Sequence, residues 1–116
     1  DGAMNDLIRP SLYNSYHKIS YLGKNNSKDK LSACDIVGPV CESGDFFAKD
    51  IMLPKTNNGD LIVVESCGAY GFTMASNYNS RLKPREIAVN KNGSRIIREK
   101  ESFDDLVSHE IKFLEN

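Results

Sequence analysis

A thiol and a carboxylate stand next to each other in residues 38–45, at Cys41 and Glu42. This segment reads Gly-Pro-Val-Cys-Glu-Ser-Gly-Asp; its glycines tolerate positive φ, and Pro39 restricts the backbone. We therefore expect a stiff loop that presents both side chains. Two interpretations stay open, a functional site or a connection between strands in which Cys41 is a small buried hydrophobic residue and Glu42 is solvated.

Three further side chains could bind a ligand. Arg9 and Tyr13 are four residues apart, and a guanidinium can hold a carboxylate through two hydrogen bonds while a phenol adds another donor. Tyr70 lies between two small residues, so a ligand could approach the backbone there, although a core tyrosine with its hydroxyl at the surface fits equally well.

The two histidines, His17 and His109, could each serve Cys41 as a base for nucleophilic catalysis. Histidines in a chain of this size are more often surface residues or hydrogen-bonded, half-buried ones. The sequence gives no sign that either imidazole approaches the thiol, so a hydrolytic pair is the less favoured hypothesis.

Composition excludes several classes of protein. The net charge is -1 and the basic residues are scattered, so nucleic acid is not an expected partner. The apolar run at residues 61–64 is too short to cross a bilayer. Three cysteines without zinc-ligand spacing predict neither a disulfide framework nor a metal site, and a cytoplasmic location follows. No signal peptide is apparent, and a start at Asp1 suggests a processed, tagged or excised chain.

The elements that must position these residues are mainly strands. A helical turn is expected before Arg9-Pro10, and a polar, exposed loop at residues 23–30. Asn58-Gly59 and Asn92-Gly93 predict hairpin turns. Strands are predicted at residues 13–22, 33–37, 46–53, 61–66, 86–90 and 95–98.

The segment 61–66 is expected to be buried on both faces, and the last hairpin to contribute apolar residues to the core. These core candidates are Ile87, Val89, Ile96 and Ile97. A single amphipathic helix after Ser102, capped with Asp105, closes the chain. The pattern predicts one domain, residues 1–116, that is an antiparallel β barrel or sandwich with a short helix at its carboxyl end.

Three motifs in the same order and spacing resemble the carboxyl-terminal part of the diaminopimelate decarboxylase family. They are residues 4–13 (Met-Asn-Asp-Leu-Ile-Arg-Pro-Ser-Leu-Tyr), residues 38–45, and residues 68–71 (Gly-Ala-Tyr-Gly). The resemblance covers nearly the whole chain. It implies a β domain of the alanine racemase type that accompanies a β/α barrel carrying pyridoxal phosphate. The implied reaction converts meso-diaminopimelate to L-lysine and carbon dioxide.

The resemblance also implies roles for individual residues. Arg9 and Tyr13 would bind the distal carboxylate of the substrate, and Glu42 would pair with its distal ammonium. Tyr70 would lie against the substrate and the cofactor phosphate. Cys41 would donate a proton, which suits a thiol near neutral pH. Cys41 and Glu42 would reach into the partner subunit's site, so a homodimer is expected.

The chain departs from the family pattern because it lacks the barrel, with its glycine-rich phosphate loop and the lysine that anchors the cofactor. We therefore expect a fragment that is inactive alone, with a sheet edge exposed where the family places a strand from before the barrel. Related decarboxylases acting on arginine, ornithine or carboxynorspermidine remain alternatives, as does a β module that binds without catalysis. Arg9 with Tyr13 favours diaminopimelate because the pair suits a second carboxylate.

Overall fold

Three antiparallel sheets of two strands each form the scaffold of the computed structural model, which describes residues 1–23 and 30–114. The strands are β1 (Ile19–Tyr21), β2 (Leu31–Val37), β3 (Phe46–Pro54), β4 (Ile62–Val64), β5 (Glu86–Asn90) and β6 (Gly93–Arg98). β1 pairs with β4, β2 with β3, and β5 with β6. The helices are α1 (Arg9–Tyr13), α2 (Gly71–Met74) and α3 (Phe103–Val107), and 3-10 turns cover Tyr78–Ser80 and Ile111–Phe113. The prediction of a mainly β chain is confirmed.

Closure into a barrel or sandwich is not seen in the described ranges. Each sheet there ends after two strands, and the Cα radius of gyration is 16.9 Å. A compact domain of this length would have a radius of gyration of about 13 Å. The three ribbons therefore do not wrap around a common core. Within residues 1–23 and 30–114, no helix is long and apolar enough to span a membrane.

The buried apolar side chains lie near the amino terminus and at the two ends of the β2–β3 ribbon. In the described part of the chain they are Ala3, Leu7, Pro10, Val40 and Leu53. The predicted core residues of the last hairpin are instead exposed, and so is most of segment 61–66, which forms the short strand β4. Both burial predictions are wrong, because no second layer of the described residues covers these faces.

The amino-terminal helix differs from the prediction. A helical turn was expected to end at Arg9-Pro10, but α1 begins at Arg9 with Pro10 in its first turn. Proline is well tolerated there because the first turn leaves its backbone N–H groups unpaired, and the ring sets a helical φ. Asn14 ends the helix in the left-handed region, at φ 52°. As a result, only Ile19–Tyr21 of the strand predicted at residues 13–22 is present.

The turn predictions have different outcomes. The hairpin at Asn92-Gly93 is confirmed, with Asn90 opposite Gly93 and Gly93 at φ 126°. Gly59 also has the positive φ of a tight turn, at 91°. That turn does not make a hairpin, however, since β3 pairs with β2 and β4 pairs with β1. The loop predicted at residues 23–30 falls largely on 24–29, outside the described residues.

At the carboxyl end, the predicted cap is confirmed. The Asp105 N–H donates to Ser102 Oγ at 3.1 Å, and the Ser102 N–H donates to Asp105 Oδ2 at 2.8 Å. The hydrogen bonds from the Ser102 side chain and backbone lower the pKa of Asp105. The helix is shorter than predicted: α3 ends at Val107, and a separate 3-10 turn follows at Ile111–Phe113.

Candidate functional site

Arg9 joins two tyrosines that the sequence separates widely. Its guanidinium carbon lies 5.5 Å from the ring centroid of Tyr13 and 5.0 Å from that of Tyr70. Both distances are in the range of cation–π contacts. Three of the five predicted site residues therefore form one cluster.

Two local structures build this cluster. Arg9 and Tyr13 are the first and last residues of α1, a separation that places their side chains on one face of a helix. Tyr70 directly precedes α2, and the segment after α2 is tied to the amino terminus because the Ser76 N–H donates to the Asn5 carbonyl at 2.9 Å. More than half of the surface of each tyrosine is exposed, so both hydroxyls can meet a ligand.

The loop at residues 38–45 is held by Asp45, a residue whose role the sequence analysis missed. Asp45 is 5% exposed, and its carboxylate accepts the Met4 N–H at Oδ1 and the Val40 N–H at Oδ2, both at 2.7 Å. The Gly38 N–H also donates to the Asp45 carbonyl at 3.1 Å. One side chain therefore closes the loop and attaches it to the amino-terminal segment. The available signal was an aspartate at the end of a turn, a common acceptor for nearby backbone N–H groups.

The glycines of this loop serve a different purpose from the one expected. Positive φ among the described glycines occurs at Gly59 and Gly93, not at Gly38 or Gly44. Gly38 instead allows close packing, since a Cβ there would lie 2.4 Å from both carboxylate oxygens of Asp45 and 2.7 Å from the Ala3 Cα. A Cβ on Gly44 would lie 2.7 Å from Ser11 Oγ in α1. Close packing around Gly38 and Gly44 makes the loop stiff. A left-handed backbone conformation at these glycines is not the cause.

Cys41 and Glu42 are exposed at the tip of this loop. Glu42 Oε1 accepts the Gly44 N–H and the Ser43 hydroxyl, each at 3.1 Å, and Oε2 accepts the Tyr78 hydroxyl at 3.4 Å. The Gly44 N–H, followed by the Ser43 hydroxyl, lowers the pKa of Glu42. Glu42 therefore carries its negative charge at neutral pH, as a partner for an ammonium group requires.

The structure places His17 next to Cys67. His17 is 8% exposed, and its Nδ1 lies 3.1 Å from the Glu65 carbonyl oxygen and 3.7 Å from Cys67 Sγ. A carbonyl only accepts, so Nδ1 carries the proton. Burial raises the pKa of Cys67, and its thiol donates to the Val64 carbonyl at 3.2 Å. A protonated, hydrogen-bonded thiol is not an activated nucleophile, so this pair is structural.

Known proteins resemble this chain over nearly its whole length. Residues 1–68 match the family described as pyridoxal-dependent decarboxylase, C-terminal sheet domain. A diaminopimelate decarboxylase of Campylobacter jejuni is 54% identical over 114 residues, which cover 98% of this chain and 28% of that protein. A diaminopimelate decarboxylase of Helicobacter pylori is 48% identical over 106 residues, covering 91% of this chain and 26% of that protein.

Solved structures extend the likeness to the fold. The crystal structure of diaminopimelate decarboxylase from Helicobacter pylori complexed with L-lysine matches with a TM-score of 0.89 and 46% identity, over 97% of this chain and 27% of that one. The enzyme from M. jannaschii in complex with L-lysine matches with a TM-score of 0.86 and 40% identity, over 96% and 25%. The chain thus spans roughly a quarter of the length of these relatives. It belongs to the pyridoxal-dependent decarboxylase family, as a C-terminal sheet domain.

Proposed function

We propose that this chain supplies substrate-binding and proton-donating side chains to a diaminopimelate decarboxylase, which converts meso-diaminopimelate to L-lysine and carbon dioxide. The observation that carries the proposal is the position of Arg9 against both Tyr13 and Tyr70. Two motifs far apart in sequence meet at one guanidinium. The relatives that bear this enzyme name and match almost the whole chain support the same assignment.

In this proposal, Arg9 and Tyr13 bind the distal carboxylate of the substrate. A guanidinium has paired N–H donors that match the two oxygens of a carboxylate. The Tyr13 side chain, which is 59% exposed, can add its hydroxyl as a donor beside them. Substrates of arginine or ornithine decarboxylases have no second carboxylate, so this arrangement favours diaminopimelate.

Glu42 and Cys41 serve the other groups of the substrate. Glu42 is ionised and exposed, so it can pair with the distal ammonium. Cys41 is exposed beside it and donates a proton to the carbon that has lost carbon dioxide. The bond between the carbon and the carboxylate breaks, and a new bond to hydrogen forms at the same carbon.

Pyridoxal phosphate is the cofactor that the family implies, and the residues present fit a contact with its phosphate. The Tyr70 side chain is more than half exposed, so its hydroxyl can donate to a phosphate oxygen, and the Arg9 cation beside the ring offsets negative charge. When bound, the cofactor supplies the electron sink for decarboxylation. Its anchoring lysine would lie in the barrel that the resemblance implies.

We also propose a homodimer in which Cys41 and Glu42 of one subunit complete the site of the other. Support comes from the loop itself, whose base is fixed by buried Asp45 while its tip is exposed. The alanine racemase type of barrel or sandwich would then form in the assembled protein, where added strands would cover exposed residues such as Ile87 and Ile96. A cytoplasmic location is proposed because Cys34, Cys41 and Cys67 are unpaired.

The test uses the full-length protein that contains this chain, with diaminopimelate, ornithine and arginine as substrates. Diaminopimelate should be decarboxylated with the highest kcat/KM. Arg9→Lys should raise KM for diaminopimelate about tenfold or more, because the lysine ammonium cannot reproduce the bidentate hydrogen bonds of a guanidinium to a carboxylate. Cofactor affinity, followed by the absorbance of the bound cofactor, should change less than about twofold, since a cation is retained.

Arg95→Lys is the matched control, because Arg95 is exposed on β6 and is not one of the predicted site residues. Equal losses of substrate and cofactor affinity in Arg9→Lys would refute the assignment of Arg9 to the distal carboxylate. A preference for ornithine or arginine would refute the substrate. Lysine formation by residues 1–116 alone, mixed with pyridoxal phosphate and diaminopimelate, would show that these residues suffice without a barrel.

A further inference from the structure

Tyr78 contacts the proposed ammonium-binding carboxylate from a distant part of the chain. Its hydroxyl donates to Glu42 Oε2 at 3.4 Å, across 36 positions of sequence. The other oxygen, Oε1, is occupied by Ser43 and Gly44 within the loop itself. The carboxylate is therefore held from two directions, and Tyr78 is the contact that comes from outside the loop.

The turn that carries Tyr78 has an unfavourable backbone. Asn79 and Ser80 follow it with φ of 57° and 56°. Two consecutive non-glycine residues in the left-handed region are uncommon, because the side chain crowds the backbone there. Such conformations persist only where surrounding contacts enforce them, and they concentrate at functional sites.

Contacts on both sides of the turn enforce this conformation. Asn77 Nδ2 donates to the Arg81 carbonyl at 2.9 Å and also to Glu101 Oε2. The same oxygen of Glu101 accepts the Lys83 N–H at 2.9 Å, and the Glu101 N–H returns to the Lys83 carbonyl at 3.0 Å. The carboxyl-terminal part of the chain thereby fixes the position of Tyr78.

Glu42 and Tyr78 also share an open cavity of about 430 Å³. It is lined by Met4, Asn5, Ile8, Glu42, Ser76 and Tyr78. Apolar side chains beside a carboxylate suit an ammonium group carried on an aliphatic chain. The Tyr78 hydroxyl is a smaller contributor to the lowered pKa of Glu42, after Gly44 and Ser43.

We propose that Tyr78 is a positioning residue, whose hydroxyl orients the Glu42 carboxylate toward the ammonium of the substrate. This inference rests on the proposed function. Tyr78 does not touch the reacting atoms. It acts through Glu42, and its contribution disappears when Glu42 no longer carries a charge.

The experiment compares wild type, Tyr78→Phe, Glu42→Gln and the double variant in the full-length enzyme. Tyr78→Phe removes only a hydrogen-bond donor to a charged acceptor. It should raise KM for diaminopimelate about three- to tenfold and change kcat less than about twofold. The acidic limb of kcat/KM should move to higher pH, because Glu42 loses one contact that favours its charged form. In the Glu42→Gln background, Tyr78→Phe should change KM less than about twofold.

Tyr16→Phe is the matched control, since Tyr16 is 85% exposed and lies outside the proposed site. It should leave KM and the pH profile unchanged. An equal rise in KM with and without Glu42, or no rise at all, would overturn the role of Tyr78. A wild-type enzyme that does not decarboxylate diaminopimelate would overturn the proposed function, and with it the ammonium that Tyr78 is proposed to serve.

Discussion

Replacement of Asp45 by asparagine should loosen the loop that presents Cys41 and Glu42. The change keeps the shape and removes the charge. The aspartate accepts two backbone N–H groups, one at each oxygen, at 2.7 Å. An asparagine side chain has one oxygen, so its NH2 group must face the N–H of either Met4 or Val40.

The cost follows from these contacts. Hydrogen bonds to a charged group contribute about 1.5–3 kcal/mol, and a buried donor without an acceptor adds a penalty of similar size. Asp45 is 5% exposed, so water cannot easily replace the lost partner. We expect a local destabilisation of about 2–4 kcal/mol, which corresponds to roughly 30- to 1,000-fold faster exchange of the protected amides.

Native-state hydrogen exchange of the Met4 and Val40 amides in the full-length protein measures this effect directly. Asp104→Asn is the matched control, because Asp104 is exposed in the first turn of α3. It removes the same charge and should leave both amides unchanged. Protection within about threefold of wild type in Asp45→Asn would refute the idea that this carboxylate closes the loop.

Two further predictions concern the same loop. Gly38→Ala should lower the free energy of unfolding by about 1–3 kcal/mol in thermal unfolding, because the added Cβ would lie 2.4 Å from the Asp45 carboxylate oxygens. The control is Gly68→Ala, which should be nearly neutral because a Cβ at Gly68 would meet no atom within 4 Å. Equal losses of stability in the two variants would contradict the packing argument. Ser43→Ala should raise the pKa of Glu42, because it removes the second largest cause of the lowered value. A lowered pKa preserves the negative charge of Glu42 until the pH falls through the folded-state pKa. NMR titration of the Glu42 carboxyl should therefore show that the variant loses this charge at a higher pH than wild type does. An unchanged titration would exclude the contribution of Ser43.

Much of the local structure could be predicted because its causes lie within a few residues. The hairpin at Asn92-Gly93 depends on backbone conformations that those residues tolerate, and the cap at Ser102 depends on Asp105 three positions later. The start of α1 was mispredicted although it is also local. The residue before a proline is biased away from helical backbone angles, but at Arg9 this bias was outweighed, because proline is favoured in the first turn of a helix, where Pro10 lies.

The candidate site could be predicted in part. Residue types and motif spacing identified Arg9, Tyr13, Cys41, Glu42 and Tyr70, whose roles stay predictions until they are tested. Asp45 and Tyr78 were missed because each acts through a partner that sequence does not reveal. Tyr78 meets Glu42 from 36 positions away, and Asp45 reaches Met4 from 41 positions away.

The amino-acid sequence alone was sufficient to predict the mainly β character, the tight turns, and the chemical groups available in residues 4–13 and 38–45. Preferences in φ and hydrogen bonds between near neighbours set these features. Long-range contacts were needed to pair β1 with β4, to stack Arg9 on Tyr70, and to decide which apolar faces are buried. A strand carries the same alternation of side chains whether or not a second layer covers it, so burial in β5 and β6 depends on neighbours that the local pattern cannot specify.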